Sequence, residues 1–247
     1  MVDFIKEIPS PWFWMAAILS ALAVSGWAVL YYLTYAVRSQ VLGETIWRGR
    51  RDTDAVALTF DDGPSEDTGD ILDVLKQYKI KAAFFMIGEQ VEKFPAIARR
   101  VAREGHEIGN HSFSHPIFLY QRPAKTRREI EISQDIISEI TGVTPAIARP
   151  PCGVRTPAYF AVARRLGLRT VQWSVAGFDW KPLLASQIAE NILRRLGPGS
   201  IVLLHDGDNT LKRRRVETAR ALPLIIEGIQ SRKLRITSLA ELCTADN

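Results

Sequence analysis

The composition excludes several classes of protein. The chain has 247 residues, enough for one sizeable α/β domain with a full core or for two small ones. Hydrophobic residues make up 47% and charged residues 24%, which is ordinary for a folded protein with an added apolar segment. Two cysteines are too few for a disulfide scaffold, and without a C-x-x-C pair they indicate no thiolate metal site. Whether Cys152 and Cys243 are free or form one bridge stays open.

The net charge is basic, +5 at pH 7. This excess is compatible with attraction to an anionic polymer or a membrane surface, and equally with scattered solvated charges. The one dense basic run is residues 212–215, and no aromatic side chain interrupts it. We therefore predict no nucleic-acid partner.

The first predicted element is an apolar helix. No charge occurs between Glu7 and Arg38, and residues 12–37 exceed the ~20 needed to cross a bilayer as a helix. Aromatic residues mark both ends, as in the aromatic belts of membrane proteins: Trp12, Phe13, Trp14, Tyr31, Tyr32 and Tyr35. The alternative is a cleaved signal peptide, but the apolar run is too long for one and no good A-x-A site follows. We predict an uncleaved, single-pass anchor over residues 1–37 in the cytoplasmic membrane.

The charges beside this helix argue for one orientation of the anchor. Only Lys6 precedes the helix, whereas four arginines follow it: Arg38, Arg48, Arg50 and Arg51. By the positive-inside rule these charges would keep the following domain in the cytoplasm. Their force is limited, because only Arg38 adjoins the helix and a long folded domain can translocate despite flanking charge.

From residue 55 onward, runs rich in β-branched and aromatic residues alternate with helical patterns. The predicted strands are 55–60, 81–87, 107–110, 147–149, 169–174, 201–204 and 234–237. The predicted helices lie near 68–78, 95–104, 124–141, 157–166, 186–196 and 216–231. Pro95 would open the second, Gly105 and Gly142 would close the second and third, and Ser186 would be the N-cap of the fifth. Seven such units without a repeat predict one parallel α/β domain, either an open doubly wound sheet or a barrel. In both, ligands bind at the carboxyl ends of the strands.

The first motif, T-F-D-D-G-P at residues 59–64, closes the first predicted strand. Two adjacent carboxylates repel each other, so the motif favours a bound cation or a shared proton. Along an extended strand Asp61 and Asp62 would point to different sides, so that one could bind a metal while the other faces a substrate. D-D-G-P is also a good turn sequence, and the motif alone does not decide between the two interpretations.

The second motif is H-S-F-S-H at residues 111–115. On a helical turn, His111 and His115 would face one side and could close on a single metal ion. A lone pair with this spacing is weak evidence, but the chain has only four histidines and this pair takes two of them. One carboxylate with two imidazoles leaves a position open for water, which is typical of a catalytic zinc or similar divalent ion.

Three shorter motifs lie at or near the ends of later strands. R-P-P-C-G at residues 149–153 is either a tight path that aims a backbone N–H at an oxyanion or a rigid loop with a surface arginine. Asp179 and Trp180 follow the fifth predicted strand. L-L-H-D at residues 203–206 ends an apolar strand in a histidine. A strand-terminal histidine in isolation is more often structural than catalytic.

In order and spacing, the five motifs resemble those of the polysaccharide deacetylase family, also called the NodB-homology domain or carbohydrate esterase family four. The matching segments are T-F-D-D-G-P, H-S-x-x-H, R-P-P-x-G, D-W and L-L-H. The resemblance covers residues 53–240 and implies the family's fold, a distorted (β/α)7 barrel, in agreement with the seven predicted units. It also implies the family's activity, the metal-dependent hydrolysis of N-acyl groups on amino sugars.

The resemblance further implies the roles of five residues. Asp62, His111 and His115 would hold a divalent metal: zinc first, with cobalt, manganese and nickel as alternatives. Asp61 would be the general base that takes a proton from the attacking water. His205 would be the general acid that protonates the departing amine.

The other matching residues would bind substrate or tune the site: Arg149, Pro151, Cys152, Gly153, Asp179, Trp180 and Leu203. The backbone N–H of Cys152 would stabilise the oxyanion together with the metal, and Asp179 would orient or tune the active-site histidine. Trp180 and Leu203 would line the pocket for the acyl methyl. The arginine would lie near the carboxylates, with its partner unassigned.

This sequence departs from the family pattern at two positions. The family often has tyrosine where Cys152 stands; a backbone oxyanion donor would survive this change, whereas a side-chain role would not. The fourth motif often begins with another aspartate, and Ala176 takes that place here.

The expected substrate is an N-acetylated polymer such as peptidoglycan, chitin-like oligomers or an exopolysaccharide. Most such polymers lie beyond the cytoplasmic membrane, so we expect a short cytoplasmic N-terminus and an extracytoplasmic catalytic domain. The alternatives are a deacylase of a lipid-linked amino sugar at the membrane and a non-catalytic glycan-binding protein on the same fold. The predicted organisation is an anchor at 1–37, a linker at 38–52, the catalytic domain at 53–240 and a tail at 241–247.

Overall fold

The computed structural model describes residues 10–210 and 212–243. The segment that contains Lys6 and most of the predicted tail lie outside the described residues. The domain boundaries expected from the sequence stay predictions. The segment 38–52 packs against the domain: Thr45 is buried, and Ile46 forms a parallel bridge with Val171.

The first element is helix α1, Pro11–Thr34. Its N-cap is Ser10, and Pro11 stands in the first turn, where the missing N–H has no intrahelical partner to lose. Its 24 residues span about 36 Å, and none of its most apolar stretch is buried inside the protein. The helix therefore has the length and composition to cross a bilayer, criteria that a signal sequence also meets.

The rest of the described chain builds a curled parallel sheet. Its strands are β1 Ala55–Asp61, β2 Ala83–Met86, β3 Glu107–Asn110, β4 Ile147–Ala148, β5 Arg169–Thr170, β6 Val175–Ala176, β7 Ile201–His205 and β8 Arg235–Ile236. The order across the sheet is β5-β4-β3-β2-β1-β7-β6, and β8 also pairs with β1. Because every pairing is parallel, the carboxyl ends of the main strands meet at one edge.

Helices connect these strands. They are α2 Glu66–Gln77, α3 Gly88–Lys93, α4 Pro95–Arg103, α5 Pro123–Thr141, α6 Pro157–Arg165, α7 Ala185–Leu193, α8 Val216–Gln230 and α9 Leu239–Cys243. Short 3₁₀ turns occur at Phe118–Tyr120 and Pro151–Gly153. Helix α5 ends at Gly142, whose φ of 73° suits the left-handed conformation of a C-cap.

The two faces of β1 explain how the sheet separates core from site. Val56, Leu58 and Phe60 join the main core beneath the helices, where Phe60 stacks on Phe84 at 5.0 Å. Full burial of such a ring contributes about 1.5–3 kcal/mol. The alternate residues of β1 point to the concave face, and the last of them, Asp61, reaches the carboxyl edge.

The parallel α/β architecture and all six predicted helices are confirmed, with three corrections. The predicted strand 169–174 is only the two-residue β5, because Val171 forms an isolated bridge with Ile46 and the next strand, β6, begins beyond the predicted range at Val175. Helices α3 and α9 were missed, since six and five residues are too few to display a helical period. Ser186 is not an N-cap: the cap is Leu184, whose N–H donates to the Gln187 side chain.

Candidate active site

Strand β1 delivers two adjacent carboxylates to the carboxyl edge. The strand ends at Asp61, and Asp62 already has a φ of 72°. The prediction that strand alternation separates the two was therefore wrong; a left-handed turn does so. Only glycine fits at position 63 in this turn, because a Cβ there would lie 1.9 Å from Oδ2 of buried Asp206.

The loop after β3 carries the histidine motif, and it is not helical. Ser112 and His115 have φ values of 69° and 57°, so the predicted helical turn was wrong. Side chains hold the loop instead: Asn110 accepts the Ser112 N–H at 2.9 Å, and the Ser112 hydroxyl accepts the His115 N–H at 3.0 Å. The Glu129 carboxylate accepts two further hydrogen bonds from Ser114. The polar contacts compensate for backbone bonds that a helix would have made.

The two histidines close on one oxygen of Asp62. Oδ1 of Asp62 lies 3.4 Å from Nε2 of His111 and 3.1 Å from Nε2 of His115. One ligand atom from each residue lies within 4.8 Å of the others. This Oδ1 is buried and, within the described chain, has no hydrogen-bond partner. A buried, unsatisfied carboxylate oxygen facing two imidazole nitrogens is a donor set that fits a divalent transition metal.

A hydrogen bond orients the first of these rings. Nδ1 of His111 lies 2.6 Å from the Arg149 carbonyl oxygen, which can only accept. Nδ1 therefore carries the hydrogen, and the lone pair of Nε2 faces Asp62. Nδ1 of His115 lies 3.1 Å from the side-chain amide nitrogen of Asn209. With the amide flipped, its oxygen would accept a hydrogen bond from Nδ1–H and fix the same tautomer.

The electrostatics of the cluster favour a cation. Burial alone would raise the pKa of Asp62, but the surrounding histidines hold it well below the usual carboxyl range. Burial would lower the pKa of His111, yet Asp61 and Asp62 raise it above its ordinary value. Burial lowers the pKa of His115 to about 4, so this ring is neutral at pH 7. The field that favours a proton between Asp62 and His111 would equally favour a metal ion.

The other carboxylate, Asp61, pairs with Arg149. Nη1 of the buried arginine lies 2.6 Å from Oδ1 of Asp61 and also donates to the Thr59 hydroxyl at 2.9 Å. The guanidinium carbon lies 4.1 Å from the centre of the Phe85 ring. Oδ2 of Asp61 remains turned toward the site, 3.8 Å from Nε2 of His111. The partner left unassigned by the sequence is thus Asp61, and the arginine is not on the surface.

Strand β7 brings His205 level with Asp61 in the sheet register. Nδ1 of His205 lies 2.8 Å from Oδ1 of Asp179, whose Oδ2 accepts the His205 backbone N–H and the Thr218 hydroxyl, each at 2.8 Å. Burial opposes the charge on His205, but the Asp179 carboxylate outweighs it and raises the pKa of His205 to about 9. The ring is therefore protonated at neutral pH and can donate a proton.

The turn Pro151–Gly153 closes the site beside β4. Cys152 has a φ of 54°, its thiol is exposed, and no hydrogen bond between described residues uses its backbone N–H. Gly153 is required, because a Cβ there would lie 2.8 Å from Trp173. Of the seven described non-glycine residues with positive φ, four lie in the motif loops: Asp62, Ser112, His115 and Cys152. Such backbone strain is concentrated at functional sites.

The sequence profile of the family described as polysaccharide deacetylase matches residues 48–171, about half of the chain. The chain belongs to the polysaccharide deacetylase family. It is 39% identical to a peptidoglycan-N-acetylglucosamine deacetylase of Bacillus cereus over 76% of this chain and 67% of the relative. It is 38% identical to a chitooligosaccharide deacetylase of a Bradyrhizobium species over 77% and 91% of the two chains.

Solved structures agree with this membership. The crystal structure of the Bc1960 peptidoglycan N-acetylglucosamine deacetylase superposes with a TM-score of 0.75 at 36% identity, covering 82% of this chain and 94% of that one. The curled parallel sheet is therefore the family's barrel-like fold, as the sequence predicted. The protein is a hydrolase, a carbohydrate N-deacetylase.

The remaining predicted residues lie around the same cluster of side chains. Trp180 meets the His205 ring edge to face, with 5.4 Å between centroids. Leu203 is buried and lies two residues before His205, on the same face of β7. Pro151 is buried in the turn after β4. Ala176, the departure in the fourth motif, pairs with Leu203 in the sheet. Both cysteines are free, which answers the question that the sequence left open.

Sequence reasoning missed several supporting residues of the site: Thr59, Asp206, Thr218, Asn209 and Glu129. Asp206 could have been found, because it directly follows His205. Its carboxyl is buried beneath Gly63, accepts a hydrogen bond from Thr68 at 2.7 Å, and has its pKa raised to about 7 by burial. Thr59 belongs to the T-F-D-D-G-P motif and could also have been found, whereas Thr218, Asn209 and Glu129 lie outside every motif.

The Asp179–His205 pair predicts a pH dependence. If His205 must be protonated to act, kcat should fall as pH rises through its pKa of about 9. Asp179→Asn removes the group that raises this pKa, so the alkaline decline should move to lower pH by about one unit or more. The pH–rate profiles of both proteins, each with its metal content measured, provide the test. An unchanged alkaline limb in the variant would show that His205 is not the acid.

Proposed function

We propose that this deacetylase uses a divalent metal to remove N-acetyl groups from amino sugars of a cell-wall or related polysaccharide. The observation that carries the proposal is the buried Oδ1 of Asp62, which has no hydrogen-bond partner among the described residues and faces Nε2 of both His111 and His115. In the reaction, the amide C–N bond breaks; the oxygen of water joins the acetyl carbon to give acetate, and the nitrogen leaves as the amine of the sugar.

Asp62, His111 and His115 would hold the metal. Zinc suits two imidazoles and a carboxylate, and cobalt, manganese and nickel remain the alternatives. A bound divalent ion supplies Lewis acidity, which makes water easier to deprotonate and polarises the amide carbonyl. Four-fold coordination would leave room for water or substrate, since the chain contributes three ligands.

Two groups beside the cluster would move protons. Asp61, fixed by Arg149 through Oδ1, would use its free Oδ2 as the base that deprotonates the attacking water. His205, held protonated by Asp179, would deliver a proton to the departing nitrogen. Steps of this kind each contribute typically ~10²–10⁴ in rate.

The remaining residues would bind and orient the acetyl group. The backbone N–H of Cys152 is available to the developing oxyanion, and an exposed thiol in the usual tyrosine position is no obstacle to this role. Trp180 and Leu203 would contact the acetyl methyl from the His205 side. Pro151 and Gly153 would fix the turn that presents Cys152.

The substrate is proposed from the relatives. One is named for peptidoglycan N-acetylglucosamine and another for chito-oligosaccharides, so both, with an exopolysaccharide, are candidate substrates here. A lipid-linked amino sugar is the second candidate, favoured by the apolar helix. The non-catalytic glycan-binding alternative is disfavoured, because Asp61, Asp62, His111, His115 and His205 are all present and these two relatives are named as deacetylases.

A substrate panel tests this proposal. The full chain in detergent should release acetate from N-acetylated peptidoglycan fragments, chito-oligosaccharides or exopolysaccharide, and fully deacetylated samples of each polymer should release none. Release of a longer acyl acid would change the acyl group of the proposal. Absence of any released acid across the panel would contradict the proposed activity.

We further propose that α1 anchors the enzyme in the cytoplasmic membrane with the catalytic domain outside. The support is the exposed, 24-residue apolar helix and the extracytoplasmic place of the candidate polymers. Against it stand the arginines after the helix, Arg38 among them.

External protease should digest the catalytic domain in intact spheroplasts. The reason is that an outward-facing domain is accessible without opening the membrane, whereas a cytoplasmic control protein is not. Immunoblotting against the C-terminal half of the chain gives the measurement. Protection until the membrane is opened would reverse the topology and favour a cytoplasmic or lipid-linked substrate.

A further inference from the structure

A single buried arginine ties the end of α1 to the catalytic domain. Arg155 is 1% exposed, and its guanidinium donates to backbone carbonyls at and just beyond the helix end, at 2.6–3.4 Å: Thr34, Ala36, Val37 and Ser39. Its own N–H also donates to the Thr34 carbonyl at 3.0 Å. Among the described ion pairs Arg155 has no acidic partner, so these carbonyls and the negative end of the helix dipole are what compensate its charge. The helix is thus docked, with no free tether between it and the domain.

This docking point lies on the rim of the active site. Arg155 directly follows the turn Pro151–Gly153, and Arg149 at the start of that loop contacts His111 through its carbonyl at 2.6 Å. Six residues of extended chain reach at most about 20 Å. The end of α1 is therefore within roughly 25 Å of the metal cluster.

A second rim loop touches the same end of α1. The side chains of Tyr35, at the helix end, and Tyr120 lie near each other. Tyr120 belongs to the 3₁₀ turn that follows the histidine loop. The loop after β4 thus contacts the C-terminal end of α1 through Arg155, and the turn after the histidine loop lies beside that end.

The surface beside this contact suits an anionic membrane. Tyr120 is 74% exposed, and three exposed cations follow it: Arg122 just before α5, and Lys125 and Arg128 in the first two turns of that helix. In the described part of the chain, no ion pair engages any of these three cations. Exposed aromatic and basic side chains next to a membrane helix attract the headgroups of anionic lipids.

We propose that the active site is held at the membrane surface and deacetylates amino sugars of a glycan that is still linked to a membrane lipid. This inference rests on the proposed deacetylase activity and on α1 as a membrane anchor. The rigid contact through Arg155 limits the reach of the site to sugars close to the bilayer. A flexible tether would instead allow the domain to reach polymer far from the surface.

The test uses the full chain in nanodiscs of phosphatidylcholine and phosphatidylglycerol, in which both faces are accessible. The substrate is N-acetylchitotetraose joined to a phospholipid through either a two-residue spacer or a polyproline spacer of about 20 residues, which spans about 60 Å. Free N-acetylchitotetraose is the third substrate. Acetate release from the short-spacer substrate should exceed that from the long-spacer substrate by at least about tenfold.

Two sets of variants distinguish a helix end that is fixed to the catalytic domain from a helix that only attaches the protein to the membrane. Arg155→Gln keeps the anchor but releases the end of α1 from the domain, so it should keep its rate on the free tetramer and lose the spacer preference. Arg122→Gln with Lys125→Gln should weaken the short-spacer reaction in these anionic nanodiscs and leave it unchanged in nanodiscs of phosphatidylcholine alone. If Arg155→Gln does not fold, the spacer series on the unaltered chain still decides the matter.

The possible outcomes distinguish the two levels of the proposal. Hydrolysis of the free tetramer with equal rates for both spacers would overturn the membrane-surface inference and leave the deacetylase activity intact. Acetate release from none of the three substrates would overturn the proposed activity for chito-oligosaccharides, and the inference with it.

Discussion

A His111→Ala variant should lose both its bound metal and its activity. Removing one of three protein ligands leaves Asp62 and His115 with too few donors to retain a divalent ion at ordinary concentrations. Losing several kcal/mol of metal assistance corresponds to a decrease in kcat/KM of about 10³-fold or more. Metal content by elemental analysis and acetate release on the same sample give the measurement. The equivalent variant at His115 should behave alike.

The matched control is His106→Gln. His106 is also a buried histidine, but it lies outside the site and its Nδ1 accepts the Ala82 N–H at 3.2 Å. This variant should unfold at a lower temperature yet keep its metal, because it changes the core and not the ligands. Full metal occupancy in His111→Ala would contradict the assignment of the site.

Asp61→Asn should keep the metal and lose turnover by about 10²-fold or more, because it removes the base and no ligand. Asparagine has the same shape and can still accept from Arg149, so the loop should stay in place. His205→Ala should lower turnover similarly by removing the acid. The measurements are kcat, metal content and the midpoint of thermal unfolding for each variant.

The unfolding midpoint matters because Arg149 is buried. Removing the charge of its partner can cost about 3–5 kcal/mol of stability, which could mimic a catalytic loss. Asp73→Asn provides the comparison, since Asp73 pairs with Arg100 at 2.5 Å on the surface and far from any motif. Near-normal turnover in folded Asp61→Asn would show that another group takes the proton.

The fold was largely predictable because its strands and helices have clear periods. The fully buried β1 and the five-residue β7 read as apolar runs, and Pro95 and Gly142 marked helix ends at the positions observed. The two-residue strands are too short to form such an apolar run, so the sequence could not predict their bounds. Their positions depend on pairing with distant segments, as Val171 does with Ile46, and no local pattern records such pairing.

The site was predictable in its residues but not in its geometry. The motifs named Asp62, His111 and His115, yet the left-handed turns that bring them together depend on contacts such as Glu129 with Ser114, which lies 15 residues earlier. The pairing of Arg149 with Asp61 spans 88 residues and follows from the order of strands in the sheet. Sequence spacing contains no information on that order.

Metal dependence of acetate release tests the central claim most directly. The purified chain would be stripped with a chelator, dialysed, and assayed on an N-acetylated chito-oligosaccharide while zinc, cobalt, manganese or nickel is added back. We expect no release without metal and full recovery at about one ion per chain, with no recovery in His111→Ala. Undiminished acetate release from protein that contains no metal would contradict the account.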